Sequence, residues 1–219
     1  MFSSTDPLQI ILSIPAILIG FTFHEYAHAL VADRLGDRTP RSQGRLTLNP
    51  FVHIDIMGFI LILLVGFGWA KPVQTNPSSF KHYYKDDLKV SFAGPIANLI
   101  IAFVATVLFA IVTKVFSSVD SSNQLATIIY TILVDTVRIN CMLFILNLIP
   151  IPGFDGFHIL RDLFPKFFYN IADQMQKYQL IIFVLLAAPL ISNNSVLGLI
   201  IGPTTNVLIS IFSLVTRFI

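Results

Sequence analysis

Charge is scarce in this sequence. Only 12% of its 219 residues are Asp, Glu, Lys or Arg, against about a quarter in a soluble domain. Hydrophobic residues make up 55% of the chain and the mean hydropathy is +0.78. A chain so poor in charge cannot keep a globular surface wet, so a lipid bilayer is the expected solvent. The single cysteine, Cys141, excludes an intrachain disulfide. It lies in an apolar run, Cys141-Met142-Leu143-Phe144-Ile145-Leu146, and reads as a small buried hydrophobe. No repeat, low-complexity tract or linker divides the chain, so one domain covering 1–219 is expected. The net charge of +2 carries no nucleic-acid signature, because the basic residues lie in short loops. The opening MFSSTDP has no positive n-region and no clear cleavage site, so the run after it reads as a retained span.

The apolar runs give the architecture. Leu8 to Ala32 contains one charged residue, Glu25. As a helix it reaches about 37 Å, enough to cross a hydrocarbon core of about 30 Å. Ile54 to Ala70 is shorter, carries Asp55, Gly58, Gly66 and Gly68, and reads as a short span or a re-entrant element. Val90 to Thr113 has no charge. Leu125 to Pro150 is interrupted by Asp135 and Arg138, three apart and expected to neutralise each other on one helix face. Tyr178 to Ile191 and Val196 to Ile219 close the chain around Ser192-Asn193-Asn194-Ser195.

Cytoplasmic loops are rich in Lys and Arg. If the first helix runs inward and the second run does not cross, every basic residue except Lys114 and Arg138 faces the cytoplasm. The expected fold is therefore an all-α polytopic membrane protein. It has about five transmembrane helices, with a re-entrant or β-hairpin-like segment between the first and second spans. The N-terminus is outside and the C-terminus cytoplasmic. A catalytic core spans about 8–165 and a C-terminal helical pair about 178–219.

The sharpest motif is His24-Glu25-Tyr26-Ala27-His28. Residues four apart on a helix share a face, about 6 Å apart along the axis, so two imidazoles can grip one metal ion. Glu25 projects about 100° away from His24 and is placed to take a proton from a metal-activated water. Polar groups inside an apolar span are costly and functional by default. A catalytic zinc takes three protein ligands and keeps one position open. Asp155, after the proline-broken run Asn147-Leu148-Ile149-Pro150-Ile151-Pro152-Gly153-Phe154, is the best third ligand. A solvated Asp-Gly turn is the other reading of Asp155-Gly156.

Other polar residues carry paired readings. Asn147 is either a contact for the oxyanion of a tetrahedral intermediate or an amide that satisfies the broken end of its helix. Asn98 either faces the site or bonds across helices. Gly94 and Pro95 read as a kink or a close-packing point. His53 is the best remaining histidine for lining the site, ahead of His82 in a charged loop and His158 near a helix start. Gly66 to Val73 could offer a strand edge to an extended substrate.

Taken together, His24-Glu25-x-x-His28, Ala93-Gly94-Pro95-Ile96-Ala97-Asn98 and Asn147-x-x-Pro150 with Asp155-Gly156 resemble the three signatures of the site-2 protease family of intramembrane zinc metalloproteases. Gly44-Arg45-Leu46-Thr47-Leu48-Asn49-Pro50, His53-Ile54-Asp55 and Gly68-Trp69-Ala70-Lys71-Pro72-Val73 resemble its compact prokaryotic branch. The resemblance covers roughly residues 15 to 165. It implies one Zn2+ per chain held by His24, His28 and Asp155, with Glu25 as catalytic base. It implies hydrolysis of peptide bonds in or near transmembrane segments of membrane-protein substrates. It also implies a prokaryotic membrane protein, while the loop charges, not the resemblance, put His24, His28 and Asp155 toward the cytoplasm. The length leaves no room for the PDZ or nucleotide-binding domain that some branches add. Gly153 stands where the family often has a second proline.

Rival classes fit less well. A divalent-metal transporter should show inverted repeats and ligands on several broken helices. A di-iron oxidoreductase needs more histidine clusters than five histidines, two of them clustered, provide. A protease class with a glutamate third ligand is excluded because Glu25 is the only glutamate. A catalytically inactive relative would lack zinc.

Overall fold

The protein was analysed as a computed structural model, which describes residues 6–65, 68–116, 123–188 and 195–216. Its helices are α1 (Pro7–Arg34), α2 (Thr39–Ser42), α3 (Pro50–His53), α4 (Ile56–Val65), α5 (Tyr83–Val115), α6 (Gln124–Asn147), α7 (Asp155–Leu163), α8 (Pro165–Lys177), α9 (Gln179–Ala187) and α10 (Val196–Thr216). Among the described residues, four are long and apolar enough to cross a membrane: α1, α5, α6 and α10. The described part of the run Tyr178 to Ile191 forms only the nine-residue α9. The turn 192–194 and residues 66–67 lie outside the described residues.

Local chemistry sets the helix ends. Asp6 Oδ1 accepts from the Leu8 amide at 3.0 Å, and Pro7 needs no partner for the N–H it lacks. Asn123 caps α6 in the same way, accepting from the amides of Leu125 and Ala126. The first turns of α5 carry Lys85, Asp86, Asp87 and Lys89, so the 33-residue helix begins in polar surroundings before its apolar stretch.

The spans α1, α5 and α6 pack into a central bundle, and α10 lies against α6. Between apolar helices in lipid the hydrophobic effect gives no preference for protein over solvent, so close packing of small residues carries the association. Ala16 and Ile17 meet Ile139 and Leu143, while Ala102, Ala105 and Cys141 sit beneath Leu208 and Phe212. At Gly20 a side chain would come within 2.9 Å of Leu143 and 3.2 Å of Asn140, so glycine sets the α1–α6 approach.

The chain between α1 and α5 does not continue as a long helix. Ten residues of α4 reach about 15 Å, half of a hydrocarbon core. The chain then returns in extended form. Ala70 makes an isolated antiparallel bridge with Ile54, and the Lys71 amide donates to the His53 carbonyl at 2.9 Å. No strand forms among the described residues; this bridge is the whole of the hairpin-like pairing. The Arg45 guanidinium, itself buried, donates to the carbonyls of Val52 and Lys71 and clamps the return segment down.

α7 begins where α6 is broken. Pro150 and Pro152 cannot extend the helix, and Gly153 takes φ 99°, a conformation open to glycine. Asp87 of α5 pairs with Arg161, whose Nε also donates to Asp162 at 2.8 Å, tying α7 to α5.

Gly58 of α4 packs directly on the backbone of Trp69. Gly58→Ala should therefore destabilise the protein by about 1–3 kcal/mol through overpacking. The expected reading is a lower unfolding midpoint in detergent; an unchanged midpoint would show that the return segment does not lie on α4.

Candidate metal centre

α1 carries His24 and His28 one turn apart, with their rings edge to face at 4.6 Å between centroids. Their Nε2 atoms approach to 3.0 Å. The break after α6 brings Asp155, 127 positions after His28, onto the same point. Its Oδ2 lies 3.2 Å from His24 Nε2 and its Oδ1 3.3 Å from His28 Nε2. Gly156 makes this possible, because a side chain there would sit 2.6 Å from the backbone of Ile149.

The opposite edges of both imidazoles are fixed. His28 Nδ1 donates to the Val90 carbonyl at 2.7 Å. His24 Nδ1 lies 2.7 Å from Asn98 Oδ1. Asn98 spends its amide N–H groups on the Gly20 carbonyl at 3.0 Å and on Asn140 Oδ1 at 2.9 Å, which leaves its oxygen as an acceptor. Asn140 is oriented in turn by donating to the Thr136 carbonyl. With Nδ1 donating, each neutral ring carries its lone pair on Nε2. Two nitrogen lone pairs and a carboxylate then face one another, and Asp155 Oδ2 is buried with no hydrogen-bond donor. Three acceptors at one point repel each other until a cation joins them. The three ligand atoms lie within 4.8 Å of one another, so the group could hold a metal ion. Two nitrogens and one carboxylate oxygen, with the rear edges held by hydrogen bonds, suit zinc.

Gly94 of α5 makes room for the pair. A side chain there would stand 2.6 Å from His24 Cε1 and 2.7 Å from His24 Nε2, and closer still to His28. This is the close packing that the sequence suggested at Gly94, with the two histidines as partners that the sequence did not name. Asn98 has both of its expected roles, since it orients His24 and joins α1 to α6. Asn140 was not singled out; its one signal is a fully buried type of amide placed one turn after Thr136 in an apolar run.

Glu25 is buried, and its Oε2 accepts from the Val73 amide at 2.7 Å. The return segment clamped by Arg45 thus delivers an N–H to this carboxylate. A cavity of about 640 Å³ opens beside it, lined by His24, Glu25, Trp69, Pro72, Asn147 and Phe154 among others. Asn147 donates to the Leu143 carbonyl at 3.0 Å, satisfying its own helix end while lining the cavity.

Other expectations fare differently. His53 does not line the cavity. It is fully buried, donates from Nε2 to the Thr47 carbonyl at 2.7 Å, and burial pushes its pKa below the usual imidazole value. His82 is the N-cap residue of α5 and His158 is exposed on α7. Asp135 and Arg138 form no ion pair: Asp135 Oδ2 is buried without a hydrogen-bond partner, and Arg138 is exposed toward another cavity.

The profile of peptidase family M50 matches residues 12–190. The chain is 39% identical over 170 residues to YwhC of Bacillus subtilis, named as a candidate zinc metalloprotease, covering 78% of this chain and 77% of that one. It is 33% identical over 190 residues to Rip2 of Mycolicibacterium smegmatis, covering 82% and 68%. It is 32% identical over 160 residues to MJ0611 of Methanocaldococcus jannaschii, covering 70% and 71%. Both of these carry the same description. No solved structure matches the chain.

Loss of the Asn98 amide frees the His24 ring to turn and to change tautomer. Asn98→Ala should weaken zinc affinity about 10–100-fold, measured by competition with a chromophoric chelator. Affinity equal to the wild type would remove Asn98 from the metal centre.

Proposed function

Because this chain belongs to peptidase family M50, we propose that it hydrolyses peptide bonds within or near transmembrane segments of other membrane proteins. It is a zinc metalloprotease. In this reading His24, His28 and Asp155 hold one Zn2+ per chain, and Glu25 is the general base. The observation that carries it is the convergence of two imidazole Nε2 atoms and a carboxylate with one buried, unbonded oxygen next to Glu25 and its cavity.

Zinc bound there supplies a Lewis acid that polarises the scissile carbonyl and brings the pKa of water toward about 7. The chain's own residues do the rest. The Val73 N–H holds Glu25 Oε2, which orients the carboxylate and leaves Oε1 to take a proton from the attacking water. Glu25 then returns that proton to the leaving amine. The Asn147 amide, beyond the N–H it gives to Leu143, has a second N–H to offer the oxyanion. Trp69, Ala70 and Pro72 form one wall of the cavity, where an unwound substrate can lie extended against the return segment.

The proposed setting is a prokaryotic cell membrane. α1 runs inward, the segment holding α4 re-enters without crossing, and a fifth span completes the set, putting the N-terminus outside and the C-terminus in the cytoplasm. The distribution of Lys and Arg supports this orientation. His24 and His28 then sit toward the cytoplasmic end of α1, and Asp155 just past the cytoplasmic end of α6, where water can enter. The whole chain, 1–219, acts as one protease domain.

In proteoliposomes with a generic single-span substrate, Glu25→Gln should lose turnover while keeping zinc. Asn147→Ala should keep zinc and lose about 10²–10³ in kcat. Loss of zinc from Glu25→Gln would make Glu25 a ligand instead, and unchanged kcat in Asn147→Ala would remove the oxyanion contact.

A further inference from the structure

A separate cavity of about 430 Å³ lies between α6, α9 and α10. Its wall includes Met142, Phe183, Leu197 and Ile201, and into this apolar surround come Arg138 and Thr205. Arg138 is exposed there, and among the described residues it closes no ion pair. Asp135, one turn earlier, acts on it through space but makes no contact within ion-pair distance, so among the described residues no anion bonds the guanidinium directly. The Thr205 hydroxyl oxygen is buried and has no hydrogen-bond partner. Arg138 stands about 21 Å along α6 from its start and about 13 Å from its end at Asn147. A guanidinium at this depth is costly unless an anion meets it. Guanidinium and hydroxyl together match a carboxylate, which accepts two parallel N–H bonds from arginine.

This cavity adjoins the metal-centre cavity, because Phe183 of α9 lines both. An occupant of one therefore lies next to the other.

We propose that the Arg138 cavity docks a transmembrane segment that carries an Asp or Glu side chain, whose carboxylate pairs with Arg138 and sets which stretch of that segment reaches the metal centre. The inference rests on the protease reading above and names a substrate feature for it. A lipid headgroup belongs to the bilayer surface, whereas Arg138 lies well inside a helix long and apolar enough to cross a membrane. A carboxylate at this depth is carried by another span. Asn147, about 13 Å from Arg138 along α6, lines the metal-centre cavity, and that length equals about nine helical residues or four extended ones. The acidic residue then stands about four to nine positions from the bond that is cut.

The test uses zinc-loaded Glu25→Gln protein in phosphatidylcholine nanodiscs. The probe is a fluorescent single-span Leu/Ala peptide with one Glu, Gln or Lys four to nine residues from a central Gly-Pro, and binding is read by energy transfer. The Glu peptide should bind about tenfold more tightly than the Gln peptide. Adding Arg138→Lys should keep that order, and adding Arg138→Glu should invert it in favour of the Lys peptide. Should Arg138→Glu fail to fold, Arg138→Gln gives the reading by binding the Glu and Gln peptides equally. Equal binding of all three peptides with Arg138 intact, or an order indifferent to residue 138, overturns the proposal. If phosphatidylglycerol erases the preference while the Gln peptide still binds, the cation belongs to a lipid headgroup and the proposal also falls. Cleavage of the peptide by the Glu25→Gln protein counts against the general base alone, because docking is read separately.

Discussion

Burying hydrogen-bond acceptors among apolar helices is the constraint on which the rest of the structure depends. Lipid offers no water to solvate an imidazole or a carboxylate, so each polar atom must be answered from within the protein. Val90 and Asn98 answer the rear of the two histidines. That turns their other nitrogens toward each other and toward Asp155, whose Oδ2 has no hydrogen-bond partner, and a cation would satisfy all three together. The requirement reaches well beyond the ligands. Asn98 needs Gly20 and Asn140, and Asn140 needs Thr136, so the hydrogen bonds behind the candidate metal site tie α1, α5 and α6 together.

Small residues enforce the same register by shape. Gly94 lets the α5 backbone pass over the imidazoles, Gly20 lets α6 approach α1, and Gly156 lets the first turn of α7 press on the chain leaving α6. Outside the bundle, Arg161 holds α7 to α5 and Arg45 holds the return segment to the end of α3. These two cations act at a distance from the candidate metal site, one supporting the helix that bears Asp155 and the other supporting the amide that meets Glu25.

Much of this was legible in the sequence. The i, i+4 histidines predicted a shared face, and a long apolar run around them predicted a buried helix, because both are periodic local signals. Asp155 was legible through its proline-broken surroundings and through a resemblance, but its convergence with α1 is a long-range fact that spacing alone left open. Asn140 and the contact of Gly94 with the histidines were missed, since a buried amide and a close-packed glycine carry no periodic signature. Asp135 and Arg138 were expected to pair from their spacing. The structure leaves Asp135 half-buried with its Oδ2 unbonded and Arg138 open to a cavity, the two interacting only through space. His53 was considered for the site and is instead fully buried and bonded to the Thr47 carbonyl, because loop histidines follow packing that no local pattern encodes.

The central claim is that His24, His28 and Asp155 form one zinc centre. Metal analysis of detergent-purified wild type and Asp155→Ala tests it most directly, with helicity measured alongside to show that the variant is folded. About one zinc per chain in the wild type, and a large loss in folded Asp155→Ala, is the result predicted for a three-ligand site. Full zinc content in Asp155→Ala would contradict it and would put the third ligand elsewhere in the chain.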